Sequence, residues 1–198
     1  MELLLIRHGL PLRIERDDGA PADPSLSAVG RRQAQRLSQW LEAEAIDRLY
    51  ASPLRRAYET AGPLAKAKSL EIKVEPGVVE FDPNAASYIP MEELKATNYE
   101  AWRELMQGGL LARADIQQFR REAVQALEGI IATNSGRRVA VVCHGGVINV
   151  WAAHVLGLDN PLFFEPTYTS VNRFMAAGSG ERSVVSLNET AHLRQEDA

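Results

Sequence analysis

A single cysteine, Cys143, is the only thiol in 198 residues. One cysteine closes no intramolecular disulfide and builds no thiolate zinc site, so no metal or other cofactor is expected from this source. Sparing use of cysteine favours a reducing compartment, and a cytoplasmic location is the expectation. Long apolar runs are missing too. The LLLI run at 3–6 is too short for the apolar region of a signal peptide and has no basic leader. No segment approaches the ~20 apolar residues of a membrane span, so no membrane partner is expected. Neither sign of charge is in excess: 26 acidic and 22 basic residues leave a net charge of -4, which recommends no nucleic-acid partner. An anion site must therefore be built locally from a few placed cations. Internal repeats, low-complexity tracts and long linkers are also lacking, and the length suits a single domain over 1–198 with a sizeable core.

What the chain does contain is an alternation of strand and helix patterns. Residues 2–6 (ELLLI) and 138–143 (RVAVVC) are short, continuous apolar runs, as in strands buried on both faces. After Ser27, a helix puts Val29, Leu37, Trp40 and Leu41 on one face. Ser52 suits the N-cap of a second helix and Pro53 its first position, and Pro63 predicts a kink or restart. A third helix starts near Asp115, with Ile116, Phe119, Ala123, Leu127 and Ile130 at helical spacing, and stops near 134–136. A fourth, over 146–156, is apolar nearly all round and predicts burial. Further strands are expected at 170–176 and 183–187, followed by a ten-residue tail. This alternation predicts an α/β fold, a three-layer α/β/α sandwich around a mainly parallel sheet. Residues 81–114, aromatic and punctuated by Gly and Pro, interrupt the alternation as an inserted cap.

In open α/β sheets, ligands bind beyond the carboxyl ends of the strands. Both apolar runs end there in a histidine: Arg7-His8-Gly9 after the first, His144-Gly145-Gly146 after the second. Gly145 and Gly146 precede a buried helix, whose free N–H groups and dipole favour an anion. Arg55, in the first turn of its helix, adds a second guanidinium to that of Arg7, and paired guanidinium donors match phosphate oxygens. Two imidazoles can act as nucleophile and as donor to developing charge.

These segments resemble the histidine phosphatase superfamily, also called phosphoglycerate mutase-like. Its RHG signature is Arg7-His8-Gly9; its L(T/S)xxGxxQA helix start matches LSAVGRRQA at 26–34; its SSPLxRAxxTA segment matches ASPLRRAYETA at 51–61; its HGG is 144–146; and LNETAHL at 187–193 is similar to the tail of many members. The resemblance implies that His8 carries a phosphohistidine and that Arg7, Arg55 and His144 hold the phosphoryl oxygens. Arg56 is then a helix-surface arginine. It further implies a general acid after the next strand, for which Glu80 in VVEFD is the match and Asp82 the alternative. Gly9 would let the backbone approach the phosphate.

Two departures stand out. Leu10 and Pro11 occupy places where many members carry Glu or Gln and then Thr, and no phosphate-binding Asn follows; Arg13 or Arg16 could substitute or form a solvated rim. The donor region has FDPNAASYIP in place of the common G-x-W/Y-E-G continuation. His154 and His192 read as structural histidines, and Cys143 as a core residue.

The implied activity is a metal-independent phosphatase acting on a small phosphorylated molecule, with no cofactor. The alternatives are a mutase moving phosphate between hydroxyls, or a non-catalytic phospholigand-binding module. A mutase must exclude water and grip a multiply anionic substrate. Residues 81–114 instead carry five acidic against three basic residues, together with Phe81, Tyr88, Ile89, Met91, Tyr99, Trp102, Leu105 and Met106. Hydrolysis of an ester with an apolar or bulky part fits better. A homodimer is the base-rate expectation for oligomeric state.

Overall fold

The structure is a computed structural model and describes residues 1–104 and 115–194. Eight strands appear among the described residues: β1 Glu2–Arg7, β2 Ile14–Glu15, β3 Arg48–Ala51, β4 Ile72–Val74, β5 Ser87–Tyr88, β6 Arg138–Cys143, β7 Val171–Ala176 and β8 Arg182–Glu189. Six form one sheet in the order β4-β3-β6-β1-β7-β8. The first four of that order run parallel, and β7 and β8 complete the edge antiparallel. The apolar runs at both histidine junctions are thus adjacent parallel strands, with Arg7 paired to Cys143 at their carboxyl ends.

Among the described residues, six helices accompany the strands: α1 Ala28–Trp40, α2 Arg55–Lys68, α3 Met91–Thr97, α4 Tyr99–Glu104, α5 Ile116–Thr133 and α6 Gly145–Leu156. Strand alternation divides the sheet into two apolar faces. Leu3, Leu5, Val139 and Val141 meet Phe119, Leu127, Ile148 and Trp151 of α5 and α6. Leu4, Ile6, Ala140 and Val142 meet Leu37 of α1 and Ala57, Ala61 and Leu64 of α2. Each fully buried Leu or Ile contributes about 1.5–3 kcal/mol over exposure. The result is the expected α/β/α sandwich, with helices on both faces because both faces are apolar.

Local signals account for most helix ends. Ser27 caps α1 by accepting from the Gly30 amide, and Asp115 caps α5 by accepting from that of Gln118. The helix over 145–156 is buried from Gly146 through Ala153, as its all-round apolar pattern requires. Three expectations are corrected. Ser52 does not cap the second helix: its amide still bonds Val142 across the sheet, and α2 begins at Arg55 behind Leu54. Pro63 lies inside α2, which does not restart there but runs on to Lys68. Gly62 precedes that proline and has no Cβ for the ring to strike, which eases the usual restriction. Val29 is 41% exposed, because α1 turns Gly30, Ala34 and Leu37 inward instead.

The described part of the insertion makes its own attachment. β5 pairs antiparallel with β2, from the loop that follows Gly9, and Arg13 reaches Glu93 on α3 at 2.6 Å. Leu105, Met106 and Arg113 lie outside the described residues. The tail turns back: Ala191–Leu193 form a 3-10 turn that buries His192.

Close backbone approach brings the Gly9 loop onto α1. The Ser27 amide and hydroxyl both donate to the Leu10 carbonyl at 2.9 Å, and a Cβ on Gly30 would lie 2.1 Å from that oxygen. Gly→Ala inside a helix ordinarily stabilises by about 1 kcal/mol. Here Gly30→Ala should instead cost about 1–3 kcal/mol, the scale of forced overpacking. A lower urea midpoint at unchanged m-value checks it; a raised midpoint would contradict it.

Candidate active site

His8 follows β1 directly, and its amide donates to the Cys143 carbonyl at 3.0 Å, extending the β1–β6 ladder by one bond. Its ring is 2% exposed, and Nδ1 lies 2.8 Å from the Gly9 carbonyl. A carbonyl only accepts, so Nδ1 carries the hydrogen and Nε2 keeps its lone pair. Burial, then the Arg56 and Arg7 charges, holds the imidazole well below its usual pKa. An uncharged ring with a defined lone pair results.

Arg7 ends β1 with 6% exposure. It donates to the Pro166 carbonyl at 2.5 Å, and its guanidinium carbon stands 3.8 Å from the Tyr168 ring centroid. A desolvated stack of this kind contributes ~2 kcal/mol.

The second arginine is not the one expected. Arg55 projects outward from α2, 62% exposed, and pairs with Glu59 one turn on. Arg56 is 3% exposed, and its Nε donates to His8 Nε2 at 3.3 Å. The helix period explains the correction. Ala57, Thr60, Ala61 and Leu64 form the buried face of α2, and Arg56 lies one turn below Thr60, whereas Arg55 and Glu59 lie outside it. Counting along S-P-L-x-R-A also puts Arg56 in the arginine slot. Thr60 then joins the site: its hydroxyl donates to the Arg56 carbonyl at 2.7 Å and accepts from the Gly9 amide at 2.9 Å.

His144 caps α6 with its ring centroid 5.1 Å from that of His8. Nε2 is 2.8 Å from the Ser52 hydroxyl, while the buried Nδ1 has no partner among the described residues. Burial, then Arg56, His8 and Arg7, depresses its pKa.

Glu80 reaches the same place from the loop before the insertion. Its Oε2 accepts from the Gly146 amide at 3.3 Å and Oε1 from the Phe81 amide at 3.1 Å. A Cβ at position 146 would fall 2.2 Å from Oε1, so this approach requires the glycine. Burial, and secondarily Asp82, pushes the Glu80 carboxyl up to about 7. Arg7, His8, Glu80, Asp82, Gly145 and Gly146 all line one cleft of about 590 Å³.

The arrangement also recruits residues the sequence did not single out. Asn149 on α6 accepts from the Phe163 and Phe164 amides and donates to the Gly145 and Phe164 carbonyls, fixing the loop that receives Arg7. Thr169 adopts φ 59°, costly for a β-branched residue. It is held by its amide on the Arg7 carbonyl and its hydroxyl on His192 Nε2, both near 3 Å. Arg13 pairs with Glu15 and Glu93, Arg16 with Asp18, and neither lines the cleft. His154 is exposed beside Trp151, away from the cleft. Cys143 is fully buried, and burial pushes its thiol up, away from reactivity.

Comparison with known proteins agrees with this fold. Residues 3–190 match the family model of the histidine phosphatase superfamily, branch 1. Phosphoserine phosphatase 1 of Hydrogenobacter thermophilus is 29% identical over 180 residues, covering 86% of this chain and 83% of its own. A probable phosphoglycerate mutase of Yersinia enterocolitica is 27% identical over 164 residues, covering 80% and 76%. Among solved structures, Bacillus stearothermophilus YhfR shares the fold with a TM-score of 0.79 at 23% identity, over 98% of this chain and 99% of its own.

The placement of the two arginines is checked by calorimetry with inorganic phosphate. Arg56→Ala should weaken binding about tenfold or more, the scale of a lost charged hydrogen bond. Arg55→Ala should change it by at most about twofold, the scale of an exposed pair. The reverse order would contradict the assignment.

Proposed function

The chain belongs to the histidine phosphatase superfamily, and on that premise we propose that it is a metal-independent phosphatase hydrolysing a phosphomonoester through a phosphohistidine on His8. The observation that carries this reading is the uncharged His8 ring, whose Nε2 lone pair is held by Arg56 while Nδ1–H is held by Gly9. A phosphoryl group entering between Nε2 and Arg56 exchanges that contact for guanidinium–oxygen bonds. Arg7 and Arg56 then supply the positive field that spreads over the equatorial oxygens. With the Ser52 hydroxyl donating to Nε2 of His144, the Nδ1 hydrogen of that ring is left for a third oxygen.

The first step forms the Nε2–phosphorus bond and breaks the bond to the ester oxygen, which takes a proton from Glu80. In the second step Glu80 accepts a proton from water as the water oxygen attacks phosphorus. The Nε2–phosphorus bond breaks, inorganic phosphate leaves, and Glu80 is again protonated. A carboxyl at about 7 suits both directions of transfer. Asp82, which raises Glu80 from nearby, is assigned this supporting part rather than the donor role.

The cleft favours hydrolysis of an ester with an apolar or bulky alcohol over mutase chemistry. Phe81, Tyr88, Ile89, Leu94, Leu162 and Phe164 line it, and Arg7 is the only Lys or Arg among its described lining residues. Asp82 and Glu165 line it as well. Such walls give a second anionic group no counter-charge, whereas a mutase must retain a doubly phosphorylated intermediate.

Hydrolysis of an aryl and an alkyl phosphate, with chelator present, tests the proposal. Wild type should turn over both, and His8→Ala should lose activity; unchanged activity in that variant would sink the nucleophile assignment. Because Glu80 donates only when protonated, kcat on the alkyl ester should fall as pH rises through about 7. Glu80→Gln should abolish that limb and lose about 10²-fold or more on the alkyl ester, but less on the aryl ester, whose leaving group needs no strong acid. If Asp82→Asn shows that pattern instead, Asp82 is the donor.

A further inference from the structure

Tyr88 and Tyr168 approach His8 from different parts of the chain, one in the insertion and one in the loop leading to β7. The His8 ring centroid is 5.6 Å from that of Tyr168 and 6.5 Å from that of Tyr88. The Arg7 guanidinium lies over Tyr168, 3.8 Å from its centroid, and the Arg56 guanidinium over Tyr88, at 4.7 Å. Guanidinium donors point outward in the plane of the group, while a stacked ring covers its face. A ring against that face consumes none of the in-plane N–H groups that an anion needs.

Tyr88 is held in this place by the loop that departs from the family pattern. Ile14 pairs with Tyr88 and Glu15 with Ser87, and the amides of Arg16 and Ala22 donate to the Ala86 and Ala85 carbonyls at 3.0 and 2.8 Å. Arg13 adds its bond to Glu93 on α3. The segment beginning Leu10-Pro11 thus offers the insertion a strand edge.

We propose that Tyr88 and Tyr168 are positioning residues, an aromatic clamp that aligns Arg56 and Arg7 on the phosphoryl group and makes the insertion part of the phosphate seat. The clamp acts on the phosphoryl group and not on the alcohol, so its removal is felt equally by every ester. This inference rests on the assignment of the cleft as a phosphoryl site.

The full-length chain with Tyr88→Phe, Tyr88→Leu and Tyr168→Phe tests it through two readouts. One is calorimetric affinity for inorganic phosphate; the other is kcat and KM on an aryl and an alkyl phosphate. Both Phe variants keep a ring face and should stay within about twofold of wild type. Tyr88→Leu should weaken phosphate binding about tenfold and lower kcat/KM by a similar factor on both esters. Tyr88→Met replaces it if the leucine variant does not melt cooperatively. The clamp is overturned if the aliphatic variant, shown folded, binds phosphate like wild type, or if a Phe variant loses tenfold. It is also overturned if the loss appears with one ester alone, which would make Tyr88 a wall for the alcohol. Should wild type bind phosphate but hydrolyse neither ester, the hydrolase assignment falls, and the calorimetric comparison still decides the clamp.

Discussion

Two buried guanidiniums facing an uncharged imidazole are the interaction on which the rest of the site depends. Arg7 and Arg56 are 6% and 3% exposed, and burying a charge is costly unless it is compensated. Part of the compensation is internal: the Pro166 carbonyl and the Tyr168 face for Arg7, the His8 lone pair and the Tyr88 face for Arg56. The nearby Asp23 carboxylate stands 4.0 Å from Arg56 and is itself 43% exposed. Burial depresses the two histidines first, and the two arginine charges add to it.

The fold makes that arrangement possible by register. β1 and β6 are neighbours and parallel, so two histidines far apart in sequence emerge at the same edge of the sheet. Glycines at three contacts let backbones close around them: Gly9 against Gly30, Gly30 against Leu10, and Gly146 against Glu80. The loop that holds Arg7 is tied by Asn149, and its left-handed Thr169 is braced by His192 from the tail. A segment that reads as a loose terminus thus supports the cleft from behind.

Much of this was legible in the sequence because it rests on local rules. Continuous apolar runs marked β1 and β6, Ser27 and Asp115 marked helix starts, and the all-round apolar stretch marked the buried α6. The RHG and HGG junctions then located His8, Arg7 and His144. Arg55 and Arg56 are neighbours in one motif, and the helix period distinguishes them: Arg56 is in phase with the buried Thr60, Arg55 with the half-buried Glu59. Tyr88 was read only as one aromatic among several, since its position is set by the pairing of β5 with β2, two residues long and separated by over seventy residues. No local periodicity signals so short and distant a contact. The accommodation of Pro63 depended on the preceding glycine, and the bracing role of His192 on a tertiary contact.

The most direct test of the account is the site of phosphorylation during turnover. Wild type, mixed with a phosphomonoester and quenched in alkali to preserve phosphohistidine, is digested and mapped by mass spectrometry. The account predicts a phosphoryl group on His8, absent from the His8→Ala protein. A phosphoryl group on His144 or any other residue, or steady turnover with His8 never modified, would contradict it.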